Sequence, residues 1–295
     1  MESDRLLLGV DGGATKTVAW LARRAAEGES SILGRGMAGP VNPQAGDFAQ
    51  VIENLDRAVD AAFADAQLDA RPVAAAVLGL AGSDRDENRR VVNDWAERRR
   101  LAHRVRVVHD ALPVLAAGSP DGWGVALIAG TGSFAFGQAR DGRTARAGGW
   151  GYLFGDEGSG YAIALAGLRA AAQSADGRAP ATRILDVLLT RLGLEEPLQL
   201  IPAIYPIAAD RSRIAAFAEV VTRAAEDGDA PARQILDDAG RELAAAVAAV
   251  ARQLGFAEDV FPLAVTGGVL LASARLRSGL ERGMESLGLR PKSIA

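Results

Sequence analysis

Two short turns in this sequence combine glycine with hydroxyl-bearing residues, a composition suited to phosphate binding. The first turn, DGGATK at residues 11–16, lies between two apolar runs. Glycine has no side chain, so backbone N–H groups can approach an anion closely, while Thr15 and Lys16 can contact phosphate. Asp11 supplies the carboxylate that a hydrated Mg²⁺ ion prefers. A hairpin turn that needs glycine only for its backbone conformation explains the same residues.

The second turn, GTGS at residues 130–133, also joins two apolar runs. Its hydroxyl groups and backbone amides suit a second contact with phosphate. The first turn matches neither the GxxxxGK[ST] pattern of a P-loop nor a GxGxxG motif followed by a helix. Two such turns together favour a nucleotide held from two sides.

Asp110 is a candidate general base because it directly follows a mostly apolar strand at residues 103–109. In α/β sheets, ligands bind beyond the carboxyl ends of the strands. A carboxylate in that position can accept the proton of an attacking hydroxyl during phosphoryl transfer. The alternative is that Asp110 is only the N-cap of a helix at residues 111–117.

The densest group of glycine, acidic and aromatic residues is GGWGYLFGDEGSG at residues 148–160. A sugar needs carboxylates for its hydroxyl groups and apolar surfaces for its ring, so this composition indicates a sugar-binding loop. As an alternative, Asp156 and Glu157 only begin the helix that starts near Ser159.

Gly267 and Gly268 follow an apolar strand at residues 260–266, where an adenine or ribose could lie against the backbone. A simple turn from strand to helix explains them nearly as well. His103 and His109 are too few and too poorly spaced for a metal site, so both are interpreted as structural.

The order of elements around these motifs predicts an α/β fold with a duplicated domain. A hairpin, a helix at residues 48–63, a strand at 73–80, a helix at 86–100 and a strand at 103–109 come first. The pattern restarts at residues 124–142, which suggests two related lobes rather than a solenoid. Helices then dominate residues 161–254, and a last strand at 260–266 leads into a helix.

Composition narrows the functional classes. At 295 residues the chain suits two domains, and its 49% hydrophobic and 24% charged residues are typical of a globular protein. The net charge of −4 argues against nucleic acid, and the basic run at residues 98–100 reads as a solvated helix end. The sequence contains no run of about 18 apolar residues, so no membrane span is predicted. The N-terminal apolar run is too short for a signal peptide. We therefore expect a cytoplasmic protein.

The sequence resembles the N-acetylglucosamine kinase branch of the family that includes the BadF/BadG-type ATPases. The matching motifs, in family order, are GVDGGATKT, VNP, HDA, AGTGS, GGWGYLFGDEGSG and VTGGV. Among these motifs, GGWG followed by GDEGS is the most specific to the family. The resemblance implies a two-lobed actin/hexokinase-like fold of duplicated ribonuclease H-like domains with a central nucleotide cleft. The lobes would span residues 1–117 and 118–295, the second with a helical insertion.

The resemblance also implies roles for individual residues. It assigns catalysis to Asp110 as the base. It assigns ATP binding to Asp11, Gly12, Gly13, Thr15, Lys16, Gly130, Thr131, Gly132, Ser133, Ala215, Gly267 and Gly268, with Mg²⁺ on Asp11. It assigns sugar binding to Asn42, Asp110, Gly148, Gly149, Trp150 and Asp156. The implied activity is ATP-dependent phosphorylation of the 6-hydroxyl of N-acetylglucosamine or glucosamine by a homodimer.

Three other functions compete with an amino-sugar kinase. Activators of 2-hydroxyacyl-CoA dehydratases hold an iron-sulfur cluster with cysteines, and this sequence has none. An ATPase that couples its nucleotide state to a partner protein would hydrolyse ATP without sugar. A non-catalytic sugar sensor lacks support because no helix-turn-helix segment or basic patch is present. The family usually continues past the equivalent of Ala295 into a short closing segment.

Overall fold

The computed structural model describes residues 5–13, 15–24, 30–41, 48–83, 85–119, 121–256 and 260–294. The chain divides into two compact units, Met1–Pro113 and Val114–Ala295. Each unit contains one five-stranded sheet and its own hydrophobic core. The domain boundary expected after residue 117 stays a prediction.

The sheet of the first unit is mixed. Its strands are β1 (Arg5–Gly12), β2 (Thr17–Arg24), β3 (Ser30–Ala38), β4 (Ala75–Leu80) and β5 (Val105–His109). Their order is β3-β2-β1-β4-β5, with β1, β2 and β3 antiparallel and β4 and β5 parallel to β1. Because parallel strands end at one edge, the last residues of β1 and β5 lie at the same edge of this sheet.

Helix α1 (Phe48–Asp65) covers one face of this sheet, and α2 (Asp86–Arg98) also belongs to the first unit. The apolar positions of α1 recur every three or four residues, and Val51, Leu55, Val59 and Phe63 are buried. The backbone of α1 lies close to β3: a Cβ atom on Gly36 would be only 1.9 Å from the carbonyl oxygen of Ala58. Helix α3 (Ala111–Gly118) follows β5.

The sheet of the second unit repeats this topology, as the restart of the sequence pattern predicts. Its strands are β6 (Gly124–Ala129), β7 (Ser133–Gln138), β8 (Thr144–Gly148), β9 (Val260–Thr266) and β10 (Arg290–Ile294). Their order is β10-β9-β6-β7-β8. Strands β6, β7 and β8 are antiparallel, and β9 and β10 run parallel to β6 and to each other. The duplication is therefore confirmed at the level of strand order.

Helices fill most of the chain between β8 and β9. They are α4 (Gly160–Ala175), α5 (Arg183–Leu192), α6 (Leu200–Ile204), α7 (Arg211–Ala215), α8 (Ala218–Glu226) and α9 (Ala230–Leu254), with 3₁₀ turns at Pro197–Gln199 and Tyr205–Ile207. After β9 come α10 (Gly268–Ala272) and α11 (Ala274–Ser286). Asp229 caps α9 by accepting the Ala232 N–H at 2.8 Å. Within the described ranges, every helix is too short or too polar to cross a bilayer.

Candidate active site

The first glycine-rich turn connects β1 to β2 and is closed by its own backbone. The N–H of Gly13 donates to the carbonyl oxygen of Lys16 at 2.9 Å, and the carbonyl of Gly13 accepts the N–H of Val41 at 3.1 Å. Thr15 and Lys16 are exposed. The turn is thus a tight hairpin that presents a hydroxyl and a cation to solvent.

The two glycines of this turn have different surroundings. A Cβ atom on Gly12 would lie 2.1 Å from Val41 Cγ2 and 2.6 Å from Leu80 Cδ2, and both of these side chains are buried. A Cβ atom on Gly13 would meet only the Lys16 carbonyl oxygen, at 3.7 Å. The core therefore excludes a side chain at Gly12, whereas the fold leaves room for one at Gly13.

Asp110 lies at the same sheet edge as this turn, immediately after β5. Its neighbour His109 accepts the first amide of α3, the Ala111 N–H, on Nδ1 at 3.2 Å. The Asp110 Oδ1 atom is buried and accepts no hydrogen bond from that helix. Oδ1 is therefore not the capping acceptor of α3.

The carboxyl group of Asp11 interacts electrostatically with that of Asp110. Burial raises the pKa of the Asp11 carboxyl, the charge of Asp110 raises it further, and Lys16 lowers it. A carboxylate such as that of Asp11 is a suitable ligand for a hard divalent cation. Within the described residues no group of three or more acidic, histidine or cysteine side chains could hold a metal ion.

The second turn, residues 130–133 between β6 and β7, is hydrogen-bonded to the glycine-rich loop at residues 148–160. The N–H of Gly160 donates to the Gly130 carbonyl at 2.7 Å, and the N–H of Gly149 donates to the Ser133 carbonyl at 3.0 Å. The Ser133 hydroxyl donates to the Glu157 carbonyl at 2.6 Å. Two motifs that the sequence indicates separately, for phosphate and for sugar, thus lie together in one unit.

Asp156 is the side chain that joins these two motifs. Its carboxylate accepts the Ser133 N–H at 3.3 Å and lies so close to Gly132 that a Cβ there would be 3.0 Å from both oxygens. Burial raises the pKa of Asp156, whereas the Ser133 N–H and Arg211 lower it and Glu157 raises it. Its backbone has a φ of 61°, in the left-handed region that is strained for a residue with a side chain. The fold holds this buried carboxylate in place at a local cost.

The three residues expected on the adenosine side surround the same turn. A Cβ atom on Gly130 would lie 3.9 Å from Gly267 Cα and from the Gly268 nitrogen. Ala215 lies beside Gly160, whose Cβ would be 3.5 Å from that of Ala215. Gly267 has a φ of 111° and packs directly on the backbone of β6, so no other residue fits there without rearrangement.

The aromatic part of the loop is exposed. Trp150 retains 70% of its surface, and its ring centroid lies 6.4 Å from that of Phe154. Arg146 donates to the Gly149 carbonyl at 2.6 Å and to the Gly148 carbonyl at 3.4 Å, which braces the start of the loop. The loop therefore offers an accessible apolar surface, and Arg146 holds the backbone at the start of the loop.

One predicted site residue, Asn42, lies outside the described residues. Sequence reasoning overlooked Arg146 and Arg211, and it treated His109 as structural. Arg146 precedes the glycine pair by two residues, which is a weak local cue, whereas Arg211 is far from Asp156 in sequence and gives no cue at all.

The fold and these motifs define the class of the protein. A duplicated α/β unit with a glycine turn after the first strand of each sheet is the actin/hexokinase-like arrangement, and the predicted fold class is confirmed. The chain belongs to the BadF/BadG/BcrA/BcrD ATPase family, whose model matches residues 8–284.

Individual relatives agree with this assignment. The chain is 32% identical over 266 residues to an N-acetylmuramic acid/N-acetylglucosamine kinase of Clostridium acetobutylicum, covering 90% of this chain and 86% of the relative. A crystal structure of a candidate N-acetylglucosamine kinase of Chromobacterium violaceum superposes with a TM-score of 0.76 at 28% identity, covering 98% and 95% of the two chains. A ROK family glucokinase of Streptomyces griseus, in complex with glucose and AMPPNP, shares the fold at a TM-score of 0.59 and 21% identity, covering 98% and 93%.

Proposed function

We propose that this protein is an ATP-dependent amino-sugar kinase that transfers the γ-phosphoryl group of ATP to the 6-hydroxyl of N-acetylglucosamine. One observation carries the proposal: Asp156 of the loop suited to sugar contacts Gly132 and Ser133 of the turn suited to phosphate. The names of the relatives, two of which specify N-acetylglucosamine, support the choice of acceptor. Glucosamine is a second acceptor to be tested.

ATP is proposed to bind to both glycine-rich turns and to the residues around Gly130. The phosphates would meet Asp11, Gly12, Gly13, Thr15, Lys16, Gly130, Thr131, Gly132 and Ser133, and the adenosine would meet Ala215, Gly267 and Gly268. Asp11 would hold Mg²⁺, which, when bound, neutralises phosphate charge as the phosphoryl group moves. Burial and the charge of Asp110 both raise the pKa of the Asp11 carboxyl, and a cation bound there would offset these effects.

The sugar is proposed to bind to the loop of the second unit and to the base. The residues are Asn42, Asp110, Gly148, Gly149, Trp150 and Asp156. A buried carboxylate such as Asp156 can accept sugar hydroxyl groups, and exposed Trp150 offers an apolar face to the ring. Arg146 would keep the Gly148 and Gly149 backbone in position for these contacts.

The chain's own residues supply a general base and position the reacting groups. As the 6-hydroxyl oxygen bonds to the γ-phosphorus and the bond to ADP breaks, the hydroxyl proton passes to Asp110. The transition state is loose, so most of the rate enhancement comes from positioning and charge stabilisation. We also infer a homodimer, as the family resemblance implies, and a cytoplasmic location.

A coupled ADP-release assay with Mg²⁺, ATP and a panel of hexoses and amino sugars tests the proposal. We expect ADP release to rise with N-acetylglucosamine, and phosphorus NMR of the product to identify a 6-phosphate. ATP hydrolysis that is the same with and without every sugar would refute the kinase and favour an ATPase coupled to a partner protein.

A further inference from the structure

His109 and Asp110 form a close pair at the end of β5. Successive side chains of a strand point to opposite faces, but the strand ends at His109 and the chain turns into α3, so the two side chains can meet. Nδ1 of His109 lies 2.9 Å from Oδ1 of Asp110, and each side chain retains only 15% of its exposed surface. The imidazole therefore shields the carboxylate of the proposed base.

The geometry of this pair needs a proton between the two atoms. When Nδ1 accepts the Ala111 N–H, Oδ1 of Asp110 is left buried without a donor, the one such side-chain atom within the described residues. Two acceptors that face each other at 2.9 Å repel, whereas a donor and an acceptor at that distance form a normal hydrogen bond. A proton on Nδ1 satisfies the carboxylate. It also removes the acceptor of the Ala111 amide, which belongs to a fully buried residue and has no partner within α3.

The charge around the pair favours the same arrangement. Asp11 interacts electrostatically with Asp110, so the carboxylate lies in the field of a second negative charge. A donor N–H facing Oδ1 is therefore favoured over a second acceptor at this position. A hydrogen bond to a charged acceptor is also stronger than the neutral bond between Nδ1 and Ala111.

We propose that His109 is a positioning residue for the base: its Nδ1–H donates to Asp110 Oδ1, fixes the carboxylate and leaves Oδ2 to accept the proton of the sugar hydroxyl. This inference rests on the proposed function of Asp110. His109 gains no proton during the reaction, because the hydroxyl proton goes to Asp110. A base oriented by a third group is a common arrangement in nucleophilic catalysis.

Kinetics of matched variants test the role. His109→Leu keeps the bulk and removes the donor, whereas His109→Asn places an amide N–H near the position of Nδ1. We expect kcat to fall at least about tenfold in His109→Leu and less than about threefold in His109→Asn, with the KM for ATP unchanged in both. His103→Leu, at the exposed second histidine, is the control and should match the wild type.

Thermal unfolding of each variant separates catalysis from folding. If His109→Leu fails to fold, His109→Gln, whose amide lies beyond the Nδ1 position, replaces it with the same expected loss of kcat. A wild-type kcat in His109→Leu or His109→Gln, or an equal loss in His109→Asn and His109→Leu, would overturn the proposal.

Nitrogen NMR of ¹⁵N-histidine tests the hydrogen bond without any activity. The chain has two histidines, so the spectrum is simple, and His109→Asn identifies the His109 signals. We expect a proton on Nδ1 of His109 and a shift of its signal in Asp110→Asn. An unprotonated Nδ1 would overturn the proposal. A protonated Nδ1 in a protein that phosphorylates no sugar would contradict the proposed function and leave the hydrogen bond standing.

Discussion

Replacing the adjacent glycines of the first turn, Gly12 and Gly13, separates the demands of the core from those of a bound phosphate. At Gly12 the new methyl would lie 2.1 Å from Val41 Cγ2, about 1.5 Å inside normal contact. Val41 is fully buried and stiff at χ1, so the clash cannot be relieved by rotating a flexible end. We expect Gly12→Ala to cost about 1–3 kcal/mol, or about 4–12 °C in Tm for a unit of this size.

At Gly13 the methyl has room. Its nearest neighbour is the Lys16 carbonyl at 3.7 Å, and Gly13 has no left-handed φ, so alanine keeps both backbone hydrogen bonds of the turn. Gly13→Ala should be neutral or stabilise the fold by up to about 1 kcal/mol. If phosphate lies against this turn, the methyl obstructs it, and we expect the affinity for ATP to fall at least about tenfold, equivalent to about 1.4 kcal/mol.

The assay pairs thermal unfolding with ATP binding by calorimetry. Gly9→Ala is the matched control, because it lies on the same strand β1 with no atom within 4 Å of its Cβ, and it should leave ATP affinity unchanged. Wild-type ATP affinity in Gly13→Ala would refute the placement of phosphate against the turn. Wild-type stability in Gly12→Ala would refute the packing argument.

Three further predictions concern the base, a buried acid and a helix contact. Asp110→Asn should lower kcat at least about 100-fold, the usual contribution of a general base, while calorimetry still detects sugar binding; wild-type turnover would refute the assignment. Burial raises the pKa of Asp156, so the protonated carboxyl contributes to stability at low pH. This contribution is lost as pH rises through the pKa of the folded state. Asp156→Asn should therefore raise Tm at pH 7. The increase should become smaller toward pH 4, roughly the ordinary pKa of aspartate. An unchanged Tm at pH 7 would contradict this prediction. Gly36→Ala, whose methyl would meet the α1 backbone at 1.9 Å, should lower Tm by at least about 4 °C in a thermal melt, unlike Gly9→Ala.

Local patterns in the sequence were sufficient to predict most of the architecture. Apolar periodicity identified α1, and glycine-rich turns between apolar runs identified the hairpins β1–β2 and β6–β7, because these features depend on neighbours within a few residues. The restart of the pattern at Gly124 predicted the duplication that the two strand orders confirm. The motifs also indicated phosphate and sugar chemistry from composition alone.

Only the tertiary structure decided which of these residues meet and why. Asp156 reaches Ser133 across 23 residues, and no local pattern encodes that contact. The sequence could not distinguish Gly12, which the core requires, from Gly13, which it does not, because Val41 and Leu80 approach from elsewhere in the chain. For His109 the decisive fact is the end of β5, which turns an apparently structural residue toward a carboxylate. Side-chain contacts between distant segments depend on how the elements pack, and packing is a property of the whole fold.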